Sequence, residues 1–431
     1  MYKNLKPKFS EEVVQKFFNF EKFFKFFKAI SSGEKKKTRR VSMYDFYMKL
    51  YNELLYGTYT PGNYTCFVVK DPNPREIFAS HFDDRIIHHL IVDILFDIQK
   101  DFIEDSYANQ KGKGTHKAIK KLQYYMRQIP QRDCYYMQCD IKSYFASINK
   151  NILFGLIFEH IEKLNFNIEE KKFITFLLNK IILQNPTHNV KFSGDTSLLK
   201  LIPKEKSLFG KPNYLGLPLG CYTSQFEALI YLNLLDYYVK DELDIKFYIR
   251  YVDDFVILSN NPKEFIVIKE KINNFLQTKL QLSLHPNKTK IQNVSKGINF
   301  LGYIIRPHYL LIRKRTVNNF KQRLEFFNWL LDKELEINHK IRVRFGRNKI
   351  SKYFCEGFIS KELNLPMSFL LRNMINTINS YYGMFSFANT YNLRKMLYIK
   401  YFKHLKEYFY PKNSFRCFGL KPIFLITRGV L

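Results

Sequence analysis

The feature that most constrains how this chain can fold is KFYIRYVDDFVIL, residues 246–258, where two adjacent aspartates interrupt two runs of apolar and aromatic residues. Such runs read as strands, so Asp253 and Asp254 are expected at the tip of a hairpin with buried flanks. An ionised carboxylate withdrawn from water is costly unless it is paired or metal-bound. A second acid stands in the same setting: Asp140 closes the extended run YYMQCD and is followed by IKSYF. Asp140 and Asp253 lie 113 residues apart, so only tertiary folding brings them together. Three carboxylates from two strand ends suit a two-metal site of hard cations such as Mg²⁺. Taken alone, an Asp-Asp pair is also what an ordinary solvated turn contains.

Around these strands the pattern is mostly helical from about residue 42, with INFLGYII at 298–305 as a further extended run, and the mixture implies an α+β core. Ser10, Glu11 and Glu12 read as a helix start, followed by Phe17, Phe18, Phe20, Phe24 and Phe27 at roughly helical spacing, a docking helix with its aromatic stripe in the core. A basic break, SSGEKKKTRR at 31–40, is either a phosphate contact or a solvated loop. Residues 185–215, with Asn185, Pro186, Gly194, Pro203, Gly210 and Pro212, read as a loop-rich insertion, and beyond about residue 310 the pattern is helical and basic, a separate helical lobe.

Composition narrows the partner. With 69 Lys and Arg against 39 acids the net charge is +30, which points to a polyanion, nucleic acid ahead of a membrane surface; lysine-rich coding bias is the bland alternative. At 431 residues the chain is long enough for several lobes. Cys66, Cys134, Cys139, Cys221, Cys355 and Cys417 form no C-x-x-C pair and no Cys/His cluster at zinc spacing, and read as reduced thiols of a cytoplasmic protein. The N-terminus shows no apolar leader, and IIHHLIVDILFDI is broken by His and Asp before it reaches bilayer length, so no membrane role is expected.

Five segments in order, DIKSYFASI, GLPLGCYTSQ, YVDD, LHPNKTKI and FLGY, over residues 140–303, resemble the palm motifs of reverse transcriptases. KDPNPREI, FDDRIIHH and SYANQKGKGTHKAIKKL upstream resemble the finger segments of bacterial and phage retroelement enzymes, and SYYGMFSFANTYNLR downstream resembles their thumb. The form L-G-x-x-x-S-Q at Leu219–Gln225 is similar to that of diversity-generating retroelement and defence-associated reverse transcriptases, where many relatives have Gln before the glycine and Ser-Pro after it. Leu219 in that place makes low fidelity an expectation. The resemblance implies a right-hand polymerase fold with an antiparallel palm sheet and an α-helical thumb. Its expected parts are an N-terminal helix and basic linker (1–40), fingers (41–132), palm with the 185–215 insertion (133–308), thumb (309–404) and C-terminal tail (405–431).

The resemblance also implies roles, motif by motif. Asp140, Asp253, Asp254 and the Ile141 carbonyl correspond to ligands of two Mg²⁺ ions, with Mn²⁺ as a substitute. Phe145 corresponds to the aromatic gate against the 2′-hydroxyl, and Lys70 and Arg75, assisted by Arg85, to the grip on the triphosphate. Gly220, Ser224 and Gln225 correspond to a nucleotide-binding turn, Lys288 to a lysine that protonates pyrophosphate or else a surface lysine, and Phe300, Leu301, Gly302 and Tyr303 to a primer grip turning at Gly302. The expected partners are a dedicated structured non-coding RNA template, a DNA primer or cDNA product, dNTPs, and an accessory protein or second copy. The biological settings left open are anti-phage defence and a diversity-generating element. Readings of other kinds are a non-catalytic RNA-binding scaffold, template-independent or protein-primed synthesis, and a group II intron maturase, against which stand Ser224-Gln225 and the lack of a recognised endonuclease motif after the thumb. The tail, YFYPKNSFRCFGLKPIFLITRGVL, is left open between packing on the thumb, binding RNA and meeting a partner.

Overall fold

The computed structural model describes residues 5–31, 43–70, 73–331 and 367–421, so Cys355 and most of the basic break lie outside the described residues. The chain divides into two compact units, one of Met1–Gly114, Met137–Ile257 and Asn261–Ile291, the other of Thr115–Tyr136, Leu258–Asn260 and Gln292–Leu431. No helix among the described residues is long and apolar enough to cross a membrane.

Helices in chain order are α1 (Glu11–Phe17), α2 (Phe20–Ser31), α3 (Met43–Leu55), α4 (Phe82–Ile94), α5 (Thr115–Gln128), α6 (Tyr144–Ser147), α7 (Lys150–Lys163), α8 (Ile168–Ile182), α9 (Tyr222–Tyr237), α10 (Glu264–Leu280) and α11 (Lys314–Leu331). Strands are β1 (Thr65–Val69), β2 (Arg75–Ala79), β3 (Tyr135–Asp140), β4 (Lys191–Phe192), β5 (Tyr248–Tyr251), β6 (Asp254–Ser259), β7 (Lys290–Asn293), β8 (Ile298–Phe300), β9 (Tyr303–Ile305) and β10 (Leu310–Ile312), followed by β11 (Phe409–Lys412) and β12 (Cys417–Leu420).

The Ser10 start holds: its hydroxyl accepts the Val13 N–H at 3.4 Å and caps α1, with Glu11 and Glu12 at the positive end of the helix dipole. The single helix expected from the phenylalanine spacing is instead two. Asn19 lies between them, and its side chain accepts the Lys22 N–H at 3.0 Å, a local bond that satisfies a helix-start donor and opens α2. Phe17 stacks on Phe173 of α8 at 5.7 Å and Phe18 lies 5.7 Å from Tyr47 of α3, so the pair docks through its aromatic residues.

The central sheet runs in the order β5–β6–β3–β7. Phe255, Val256, Ile257 and Leu258 are all buried, so both faces of β6 are covered, and α9 is buried on nearly every side, as a helix threaded through a core must be. A second sheet, β2–β1–β4, belongs to the same unit: β1 and β2 pair antiparallel from Thr65↔Ala79 to Val69↔Arg75, and β4 joins β1 in parallel. The 185–215 insertion is thus not only loop; it lends a strand to this sheet, and its Leu208 enters the core with Tyr64, Cys66, Phe78, Ala146 and Cys221.

In the second unit β8, β9 and β10 form an antiparallel meander. Phe320 of α11 stacks on Tyr381 of the helix Met367–Ser386 at 4.5 Å. The tail folds as a short helix, Leu405–Tyr408, and the β11–β12 hairpin, whose Phe418 lies 4.6 Å from Tyr382 and 4.7 Å from Phe402. Up to residue 421 it packs on helices of its own unit.

Candidate active site

The β5–β6 register pairs Tyr251 with Asp254, which leaves Val252 and Asp253 as the two turn residues. Asp253 is therefore at the tip, while Asp254 is the first residue of β6. Val252 has φ 57°, a left-handed conformation that a β-branched side chain strongly resists. The neighbouring core holds it there. Arg250, 1% exposed, donates from Nε at 2.6 Å and from Nη2 to the Asp236 carboxylate of α9, itself 0% exposed, while its Nη1 donates to the Val252 carbonyl at 2.9 Å. Tyr248 donates to the same carboxylate at 2.7 Å, and the Arg250 backbone is tied to Asp105 and Tyr107 at 3.0 Å each. Burial works against charge on the guanidinium, and Asp236 more than offsets it.

The turn comes to the end of β3. The Ile141 N–H donates to the Asp253 carbonyl at 3.2 Å, and the Asp140 carbonyl accepts the His285 N–H at 2.7 Å. The Asp140 carboxylate is ion-paired with the half-exposed Lys288. Burial first and the Asp140 charge second push the Asp253 carboxyl up to about 6, with Lys288 and Arg75 pulling the other way. Asp254 instead accepts Gln138 Nε2 on both oxygens, at 3.0 and 3.3 Å. So Asp140 and Asp253 converge and Asp254 is engaged two residues earlier on β3. Among the described residues no three His, Cys, Asp or Glu side chains are grouped to hold a metal ion. Asp253 is a turn residue and Asp254 the strand residue after it, so the two project differently. Two half-buried oxygen-donor carboxylates whose charges repel suit a hard divalent cation, which would relieve that repulsion.

Phe145 sits half-buried in α6, 5.5 Å from the Tyr144 ring, and its carbonyl accepts the Leu217 N–H at 2.8 Å. Gly220 has φ 116°, and a Cβ there would lie 2.8 Å from the Phe78 carbonyl oxygen and 2.9 Å from Ile77, so glycine lets the GLPLG segment lie against β2. Ser224 is buried within α9, facing away from solvent, whereas Gln225 is exposed. Arg75 is exposed at the start of β2, Lys70 half-buried after β1, and Arg85 of α4 donates to the Ser80 carbonyl at 3.2 Å. Ile141 is buried. Phe300, Leu301, Gly302 and Tyr303 lie in the second unit; Phe300 and Tyr303 are buried, and the Tyr303 hydroxyl donates to the Met384 carbonyl at 3.1 Å. The motifs do not announce Gln138, nor the Arg250–Asp236 pair. For the pair a signal existed, since an arginine inside the apolar run KFYIRYV needs a buried partner.

Residues 70–305 match the family described as reverse transcriptase (RNA-dependent DNA polymerase). The chain is 24% identical over 423 residues to the group II intron-encoded protein LtrA of Lactococcus lactis subsp. cremoris, covering 84% of this chain and 66% of that protein. It is 24% identical over 303 residues to protein YkfC of Escherichia coli (strain K12), covering 62% of this chain and 71% of that one. Among solved structures, apo telomerase from Candida tropicalis truncated from its C-terminal domain aligns with a TM-score of 0.42 at 14% identity, covering 58% of this chain and 55% of that chain.

Proposed function

Because the chain belongs to the reverse transcriptase (RNA-dependent DNA polymerase) family, we propose that it copies an RNA template into DNA at the Asp140–Asp253 pair. The observation that carries this reading is that two carboxylates 113 residues apart in sequence meet at one sheet end inside the family-matched region. In this reading residues 41–132 serve as fingers, 133–308 as palm and 309–404 as thumb, with the N-terminal segment 1–40 and the tail 405–431 outside them.

Asp140 and Asp253 would hold two Mg²⁺ ions, or Mn²⁺ in their place, with Asp254 and the Ile141 carbonyl as further ligands; when bound, the ions activate the primer 3′-hydroxyl and neutralise the departing pyrophosphate. The rest falls to the chain itself. Arg75 and Lys70 grip the triphosphate, with Arg85 behind them. Phe145 excludes a 2′-hydroxyl from the sugar pocket. Gly220 admits the backbone close to the nascent base pair, Gln225 contacts it, and Ser224 supports the helix from within. Lys288, on Asp140 before substrate arrives, is placed to hand a proton to the leaving group. Phe300, Leu301, Gly302 and Tyr303 support the primer.

The template in this proposal is a dedicated structured RNA, and the setting is anti-phage defence or a diversity-generating element in a cytoplasmic protein working with dNTPs, a primer and an accessory protein or second copy. The likeness to LtrA favours a second reading, in which the template is a group II intron RNA. Purifying the protein with its own RNA, adding Mg²⁺ and labelled dNTPs and sequencing the product separates these. Asp253→Asn is expected to lower synthesis by at least about 100-fold, more than loss of an outer hydrogen-bond partner of a metal site costs. Synthesis within tenfold of wild type would remove Asp253 from the mechanism. No DNA from wild type on its own RNA would favour the scaffold reading, and DNA unrelated to that RNA would favour template-independent synthesis.

A further inference from the structure

The segment that carries Phe145 is held from one side by residues 211–217, the end of the 185–215 insertion and the start of GLPLG. Leu217 N–H donates to the Phe145 carbonyl and Gly216 N–H to the Ile148 carbonyl, both at 2.8 Å, and Lys150 N–H donates to the Tyr214 carbonyl at 2.8 Å. Lys211 adds a side chain to this backbone ladder: its Nζ donates to the Ala146 carbonyl at 2.5 Å. The α6 helix is a single turn of four residues, so its carbonyls lack intrahelical partners, and a cation at its C-terminal end satisfies one of them.

Lys211 is itself held. Glu76, 3% exposed on the inner face of β2, accepts the Ser207 hydroxyl at 2.9 Å and the Leu208 N–H. The Leu208 carbonyl in turn accepts the Lys211 N–H at 3.2 Å, so Glu76 holds the turn that carries Lys211. The residue before Glu76 is Arg75, which faces the opposite side of β2 and whose charge acts on Asp253. Glu76, the Ser207–Leu208 turn and Lys211 therefore connect the strand that presents Arg75 to the carbonyl next to Phe145.

We propose that Lys211, on the turn that Glu76 holds, is a positioning residue that fixes the height of Phe145 over the sugar pocket and so sets discrimination between deoxyribo- and ribonucleotides. The inference rests on the reading of Phe145 as the sugar gate. A looser Ala146 carbonyl lets α6 shift, and the side chain that shifts with it is the one that must exclude a single oxygen atom.

The test is the ratio of kcat/KM for a dNTP to that for the matching rNTP, measured on the full chain with its RNA. Phe145→Val is expected to lower the ratio strongly. Lys211→Met is expected to lower it about fivefold, the scale of one lost hydrogen bond, mainly through a smaller KM for the ribonucleotide. Lys211→Arg, which keeps charge and donors, is expected to stay within about twofold of wild type on the same scale. Glu76→Gln should shift the ratio in the same direction and add little to Lys211→Met, since Glu76 acts through the turn that carries Lys211. If Phe145→Val lowers the ratio and neither Lys211→Met nor Glu76→Gln does, the positioning role is wrong and the gate stands. If Phe145→Val leaves the ratio unchanged, the gate reading fails and takes this inference with it. Should Lys211→Met lose cooperative unfolding, Glu76→Gln decides alone.

Discussion

The β8–β9 hairpin turns through Leu301 and Gly302, at φ 49° and 92°, whereas the β5–β6 hairpin turns through Val252 and Asp253, with Val252 at φ 57°. In the first, both central residues are left-handed, the conformation that matches strand twist, and a glycine occupies one of them. Its shape is largely settled by its own four residues. In the second, a β-branched residue takes the position that glycine favours, at a cost of order 1–3 kcal/mol. What offsets that cost lies outside the turn: Arg250, buried on Asp236, donates to the Val252 carbonyl, and Ile141 donates to the Asp253 carbonyl. The hairpin that carries the acid is held by the core, and the hairpin without acids holds itself.

That contrast can be broken in three places. Asp236→Ala strands a buried guanidinium and should cost about 3–5 kcal/mol in urea unfolding, with synthesis lost as the Val252 turn relaxes. A cost under 1 kcal/mol on that scale would show that the ion pair is not what holds the turn. Gly302→Ala places a Cβ at 2.7 Å from Met384 Cε at φ 92°, a loss of about 1–2 kcal/mol because the methionine end can yield part of the way. An unchanged melting temperature would mean that this turn too is set from outside. Val252→Gly removes strain and adds unfolded-state entropy, so the expected net gain is at most about 1 kcal/mol. A clear loss of stability would mean that the valine side chain contributes packing worth more than its strain.

Much of this was legible in advance because it is local. Alternating apolar runs around Asp140 and around Asp253 marked strands, Gly302 marked a turn, and Ser10 with two following glutamates marked a helix start. Where sequence reading departed from the structure, a competing bond decided. Asn19 split the N-terminal helix by bonding to the Lys22 N–H. The tail's aromatic residues gave no clue to their partner, since Phe418 meets Tyr382 and Phe402 only once the helices around them are in place.

The sequence by itself determined which residues carry charge into apolar strands, the order in which they occur and the strongly positive net charge, since residue type, spacing and charge need no fold to be read. Only the tertiary structure decided that the Asp253 turn comes to the end of β3 while Gln138 bonds Asp254, that Arg250 and Asp236 brace a strained valine, and that Lys211 reaches the carbonyl beside Phe145. Those contacts join residues far apart along the chain, or neighbours whose direction is fixed by sheet register. Local propensity is silent on both, because such contacts are bought with the burial of the whole core.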